Sequence, residues 1–121
     1  MAANKKGRVG VEPGRVTLAA DETVLVSGQF DYQGVVAARE EGEKLIRALA
    51  ASRCRIDLSG VESADSAFMA LLLSWIRLCE RRGVVLELVA VPEPLLAMAR
   101  VSGLETILPV ASEQAGARNS A

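Results

Sequence analysis

The chain has 121 residues, half of them hydrophobic, and a net charge of -1 at pH 7. This length allows one domain with a single core, and scattered basic residues with only 3% aromatics exclude a nucleic-acid footprint. No apolar run approaches the ~18–20 residues that cross a bilayer, and the basic amino terminus lacks the apolar segment of a secretion signal. We therefore expect a cytoplasmic protein without direct membrane insertion.

The residue types also argue against catalysis. Histidine is absent, which removes the usual general base, the commonest metal ligand and the usual partner of a nucleophilic Ser or Cys. Asp57, Glu62 and Asp65 stand near one loop, but a divalent cation needs more oxygen ligands or a phosphate. Cys54 and Cys79 have apolar contexts that predict two buried thiols without a disulfide. We expect no enzyme activity, no cofactor and no metal.

The first third of the chain predicts a lead segment, a hairpin and a helix. Residues 1–14 are polar and contain Gly and Pro, which indicates a flexible lead. Short β-rich runs at 15–19 and 23–28 flank a turn and predict the hairpin. Helical spacing follows over residues 33–50, behind Asp31 as a reasonable N-cap. The stripe expected to be buried consists of Val35, Ala38, Gly42, Leu45, Ile46 and Leu49.

Residues 53–83 predict a strand, a polar loop and a second helix. The strand, 53–58, alternates with period two. The loop, 59–65, contains Ser, Gly and Asp residues typical of turns and caps. Helical spacing begins at Ser66 and runs to Gly83, which is placed to end the helix in a left-handed cap.

This second helix is apolar on most sides, with one narrow polar stripe. On a wheel of 100° per residue, the stripe consists of Ser66, Ala70, Ser74, Arg77 and Arg81. Because free N–H groups and the helix dipole favour an anion in the first turn, Ser66 is a candidate contact or modification point. The alternative is that Ser66 or Asp65 serves only as the N-cap.

The last part of the chain predicts a strand, a short helix and a tail. Residues 84–91 are β-branched and aliphatic, as in a central strand. Pro94 fits the first turn of a helix that runs to about Val101 and ends at Gly103. Residues 106–110 predict a final short strand or extended segment.

The order β-β-α-β-α-β-α, with an optional last strand, predicts a compact α/β domain over residues 15–110. Two βαβ crossovers imply parallel neighbouring strands with right-handed connections. The helices would pack mainly on one side of a mixed sheet of four to five strands. From residue 111 to 121 the sequence has no apolar pattern, which predicts a disordered tail.

Three segments carry a family resemblance. DLSGVESADSAFMALLL and RRGVVLELVAVPEPLLAMARVSGLETILP, together with VLVSGQFDYQ upstream, resemble the STAS domain, named for sulfate transporters and anti-sigma factor antagonists. The FDYQ helix start, the LLL run and the SGLETILP ending are similar to the STAS subunit of the bacterial Mla system. That system is an ABC transporter that moves phospholipids between the inner and outer membranes. The resemblance implies the same α/β arrangement, with about three helices.

The resemblance also implies a role. The protein would be a non-catalytic accessory subunit that binds and supports the transporter's ATPase subunit, and through it the membrane permease, in maintaining outer-membrane lipid asymmetry. It would be cytoplasmic and peripheral to the inner membrane. The family's contact surface matches Ser63–Met69 here. The residues expected to bind the partner are Asp65, Ser66, Ala67, Phe68, Ala70, Leu73, Ser74 and Arg77.

An alternative role is a switch of the anti-sigma factor antagonist type. The alternative partner would be a serine kinase or anti-sigma factor. The kinase would phosphorylate Ser66, and the added charge would repel the partner. Phe68 departs from the antagonist pattern, which usually has Gly two residues after the Ser. Its ring could crowd a kinase, anchor in a partner pocket or lie in the core, since its wheel position is on the buried side.

Overall fold

The computed structural model of this chain describes residues 12–20 and 22–111. Within these residues the chain forms four strands and three helices, in the predicted order. The elements are β1 (Arg15–Ala19), β2 (Thr23–Gln29), α1 (Tyr32–Ala48), β3 (Arg53–Ser63), α2 (Ser66–Arg82), β4 (Val85–Val89) and α3 (Glu93–Val101).

The strands lie side by side in chain order, β1-β2-β3-β4. β1 and β2 form the predicted antiparallel hairpin, and the two crossovers make β2 parallel to β3 and β3 parallel to β4. The predicted final strand is reduced to one parallel bridge between Val110 and Leu88. The sheet of the described residues is therefore mixed and four-stranded, which confirms the predicted fold class.

β3 is longer than the sequence predicts, because residues 59–63 continue the strand instead of forming a loop. They pair with the end of β2 after a shift in register, Ser27 opposite Gly60 and Gln29 opposite Ser63. A Cβ at position 60 would lie 2.7 Å from the Cβ of Ser27, so glycine permits this close approach. These residues extend β3 beyond its pairing with β4, toward the point where α2 begins.

One face of the sheet is buried beneath the helices and the other is open. Strand residues alternate between the two faces; Val24, Ile56 and Leu88 are among those that face the core. On the open face, Arg55 of β3 forms an ion pair with Glu87 of β4, with a nitrogen–oxygen distance of 3.1 Å. This arrangement agrees with the prediction that the helices pack mainly on one side.

Helices α1 and α2 pack closely because α1 has a glycine where they meet. The ring of Trp75 occupies the space that a Cβ at Gly42 would need. The indole Nε1 of Trp75 donates a hydrogen bond of 3.1 Å to the carbonyl of Arg39. α2 ends as predicted at Gly83, whose φ of 69° is left-handed. This pair of helices presents the surface described next.

The predicted terminal segments reach slightly into the described domain. Gln29 donates a backbone hydrogen bond of 2.9 Å to Glu12, which lies in the predicted flexible lead. Ala111, predicted to start the tail, is buried and bonded to Leu88. The rest of both predictions, residues 1–11 and 112–121, lies outside the described residues.

Among the helices that the structure describes, none has the length and hydrophobicity of a membrane span.

Candidate functional site

The start of α2 is capped by Asp65. Its Oδ1 accepts hydrogen bonds from the backbone N–H groups of Ala67 at 3.0 Å and Phe68 at 3.1 Å. Ser66 is instead the first residue of the helix, and its side chain is exposed. Among the described residues, its hydroxyl has no hydrogen-bond partner. Of the two possible N-caps, the structure selects Asp65 and leaves Ser66 available at the surface.

The predicted polar stripe lies along the outer side of α2. Ser66, Ala70, Arg77 and Arg81 are all exposed. Ser74 is half-buried, and its hydroxyl donates a hydrogen bond of 3.4 Å to Oε2 of Glu43 on α1. Ser74 therefore connects the two helices more than it faces solvent.

A groove runs between α1 and α2, beside this stripe, with a volume of about 610 Å³. We call it the α1–α2 groove. Its lining residues are Tyr32, Val35, Val36, Arg39, Glu43, Ala67, Ala70, Leu71, Ser74, Arg77 and Arg81. Four of the predicted partner-binding residues, Ala67, Ala70, Ser74 and Arg77, thus lie on one wall of one concave surface.

The α1 wall of the groove was missed by reasoning from the sequence. Tyr32 is 77% exposed and Val36 is 45% exposed, and both lie on the groove. Val36 falls outside the predicted buried stripe of α1, and an aliphatic residue on the polar side was the available signal. Tyr32 stands at the helix start, where periodicity carries little information.

The other four predicted partner-binding residues, Asp65, Ser66, Phe68 and Leu73, do not line the groove; Asp65 and Ser66 lie at the start of α2, and Phe68 and Leu73 pack inward. The Phe68 side chain is 0% exposed, and its ring centroid is 5.1 Å from that of Phe30. This burial contradicts a direct partner contact by Phe68 and agrees with the alternative that its ring lies in the core. Leu73 is half-buried and packs against the core from outside the groove lining.

The groove has an internal ion-pair network on its α1 wall. Glu43 accepts from Nε of Arg39 at 3.1 Å and lies 3.7 Å from a guanidinium nitrogen of Arg47. Its negative charge is therefore shared between two cations on the same helix. Arg77 and Arg81 on the opposite wall take part in none of the ion pairs between described residues.

The cysteines are not candidates for nucleophiles. Both are free and buried. Burial raises the pKa of the Cys54 thiol from 9.0 to about 12, with smaller contributions from Cys79 and Glu22. Burial also raises the pKa of Cys79, opposed by Arg82. Both thiols stay protonated near neutral pH, and a protonated thiol is a poor nucleophile.

The described carboxylates have structural roles or face solvent. No group of three or more His, Cys, Asp or Glu residues in the described ranges could hold a metal ion. Asp57, from the predicted acidic loop, accepts a hydrogen bond of 2.8 Å from the backbone N–H of Ser59, and Asp65 caps α2.

Comparison with known proteins identifies the family of the domain. A family model described as "Mlab, STAS domain" matches residues 15–109 of the chain. No curated protein matches the chain significantly.

Three solved structures illustrate the likeness in fold. A chain of the Acinetobacter MlaFEDB complex, in an ATP-bound conformation, has a TM-score of 0.67 and 21% identity, covering 79% of this chain and 100% of that one. The phosphorylated form of the Bacillus cell fate determinant SpoIIAA has a TM-score of 0.61 and 19% identity, covering 89% and 99%. An anti-sigma-factor antagonist (STAS) domain protein from Planctomyces limnophilus has a TM-score of 0.58 and 23% identity, covering 80% and 87%.

Proposed function

Because the chain belongs to the Mlab STAS domain family, we propose that it is a non-catalytic accessory subunit of a phospholipid-transporting ABC transporter. It binds the ATPase subunit and supports its activity, and so contributes to outer-membrane lipid asymmetry. It works in the cytoplasm, peripheral to the inner membrane, and reaches the membrane permease only through the ATPase.

The observation that carries this proposal is the uncovered start of α2. Asp65 caps the helix, so the Ser66 hydroxyl is not used for capping. Ser66 and the small side chain of Ala70 are both exposed. Behind them Phe68, Leu71 and Leu72 are fixed in the core. A rigid helix start with small side chains lets another backbone approach closely. Such a surface suits a subunit that holds its partner in a productive arrangement and needs no chemistry of its own.

The proposal is tested by co-purification with the Mla-type ABC ATPase of the same organism. We expect the wild-type chain to co-purify with the ATPase. Ser66→Arg should weaken binding by at least about tenfold, or ~1.4 kcal/mol, because the long, charged arginine side chain would lie in the proposed interface. Thr17→Arg is the matched control, since Thr17 is exposed on β1 and does not line the α1–α2 groove. If Ser66→Arg binds the ATPase and supports ATP turnover like wild type, the assignment of the interface is wrong.

A second candidate is the antagonist-type switch, in which a serine kinase phosphorylates Ser66. The exposed, unbonded hydroxyl of Ser66 favours it. The ring of Phe68 does not crowd a kinase at Ser66, because it lies in the core. Intact-mass measurement of the chain isolated from cells in different growth states distinguishes the two roles. A phosphate on Ser66 in any state supports the switch, and its absence in all of them leaves the transporter role.

A further inference from the structure

We propose that the α1–α2 groove receives an acidic amphipathic helix of the partner ATPase. Its apolar side chains would lie between Tyr32, Val36 and Ala70, and its carboxylates would pair with Arg77 and Arg81. The inference rests on the proposed function and specifies the chemistry of the partner segment.

The groove has an apolar end next to the start of α2. Tyr32 and Val36 expose 77% and 45% of their surfaces there, and Ala67 and Ala70 form the facing wall. Removing exposed apolar surface from water favours association. The small alanine side chains leave room for a large apolar residue from the partner. This end therefore favours an apolar anchor.

The other end of the groove carries unbalanced positive charge. Glu43 is already paired with Arg39 and Arg47, so it offers little compensation to the opposite wall. Arg77 and Arg81 are four residues apart and exposed on the same side of α2. Neither side chain makes a hydrogen bond or ion pair with any residue that the structure describes. Two adjacent unpaired guanidinium groups favour carboxylates, which they can bind in a bidentate manner.

The spacing of the two ends fits a helix. Ala70 and Arg77 are seven residues apart on α2, which is two turns or about 10 Å. A helix laid along the groove would place its apolar anchor and its acidic residues about two turns apart on one face. Recognition of an amphipathic helix in a groove uses this periodicity. A basic segment would be repelled by Arg77 and Arg81.

The test is the affinity of the full chain for the ATPase after charge reversal. We expect Arg77→Glu/Arg81→Glu to weaken binding at least about tenfold. The affinity of wild type should decrease as the salt concentration rises, and the affinity of the variant should depend less on salt. Arg15→Glu/Lys44→Glu is the matched control, because both side chains are exposed outside the groove and the net charge changes equally. The control should bind within about twofold of wild type.

The outcomes separate this inference from the proposed function. If wild type and Arg77→Glu/Arg81→Glu bind the ATPase equally, the acidic-helix inference is overturned and the accessory role stands. If wild type does not bind, both fail. If Ser66→Arg abolishes binding while charge reversal weakens it with loss of salt dependence, both are supported.

The occupant itself can be identified with a photo-cross-linker. Benzoylphenylalanine replaces Val36, whose exposed position tolerates a larger side chain, and the cross-linked peptides are identified by mass spectrometry. We expect an ATPase segment with several Asp or Glu residues at helical spacing. Cross-links to a basic segment or to a second copy of this chain would contradict the inference. So would flotation of the protein with phosphatidylglycerol vesicles that depends on Arg77 and Arg81.

Discussion

Three neighbouring residues at the start of α2 have different roles. Asp65 satisfies two backbone N–H groups, Ser66 is exposed, and Phe68 is buried against Phe30. The sequence indicated that one of the first two is the cap, because Ser and Asp both favour that position. It could not decide which, since the answer depends on backbone angles at one residue. The wheel placed Phe68 on the buried side, but its partner Phe30 is 38 residues away in the chain.

At this scale we predict that Asp65→Ala lowers the free energy of unfolding by about 0.5–2 kcal/mol. The alanine leaves the N–H groups of Ala67 and Phe68 without their acceptor. Asp65→Asn should retain most of the stability, because its side-chain oxygen can accept the same bonds. Urea denaturation followed by circular dichroism measures both variants. Equal losses in the two variants would show that the capping geometry is not what Asp65 contributes.

The helices and strands that show a clear hydrophobic periodicity in the sequence were predicted well. α2 begins at Ser66 and ends before Gly83 as expected. The end of β3 was predicted wrongly, since its polar residues 59–63 are strand only because they pair with β2. The groove was missed for a related reason. Each helix was considered alone, whereas the groove depends on how α1 and α2 pack around Trp75.

The burial of Cys54 on β3 predicts how the free energy of unfolding depends on pH. Cys54 on β3 keeps its proton in the folded protein up to a pKa of about 12, but would lose it near the ordinary value of 9.0 when unfolded. The unfolded chain then binds fewer protons, so stability must fall as pH rises above 9.0. We expect a decrease on the order of 1 kcal/mol per pH unit for a fully titrating thiol.

Urea unfolding at a series of pH values above 8 measures this slope. Cys54→Ala/Cys79→Ala is the control, since it removes both thiols while Lys and Tyr still titrate. The variant should be less stable at neutral pH because of the cavities it creates, but its stability should fall less steeply with pH. An identical slope in wild type and variant would show that the buried thiols do not control stability there.

The whole molecule has two unlike faces. The helical face presents the start of α2 and the α1–α2 groove, whereas the sheet face is open and carries the Arg55–Glu87 ion pair. The βαβ order predicted this layered arrangement, because right-handed crossovers leave few alternatives for the strand order. The proposed accessory role requires that the partner cover the helical face.

The most direct test of that requirement is amide hydrogen exchange of the chain alone and in complex with the ABC ATPase. We predict slower exchange in the first three turns of α2 and the amino-terminal half of α1, and unchanged exchange in β1. Unchanged exchange in both helices, together with protection confined to β1 and the open sheet face, would contradict the account.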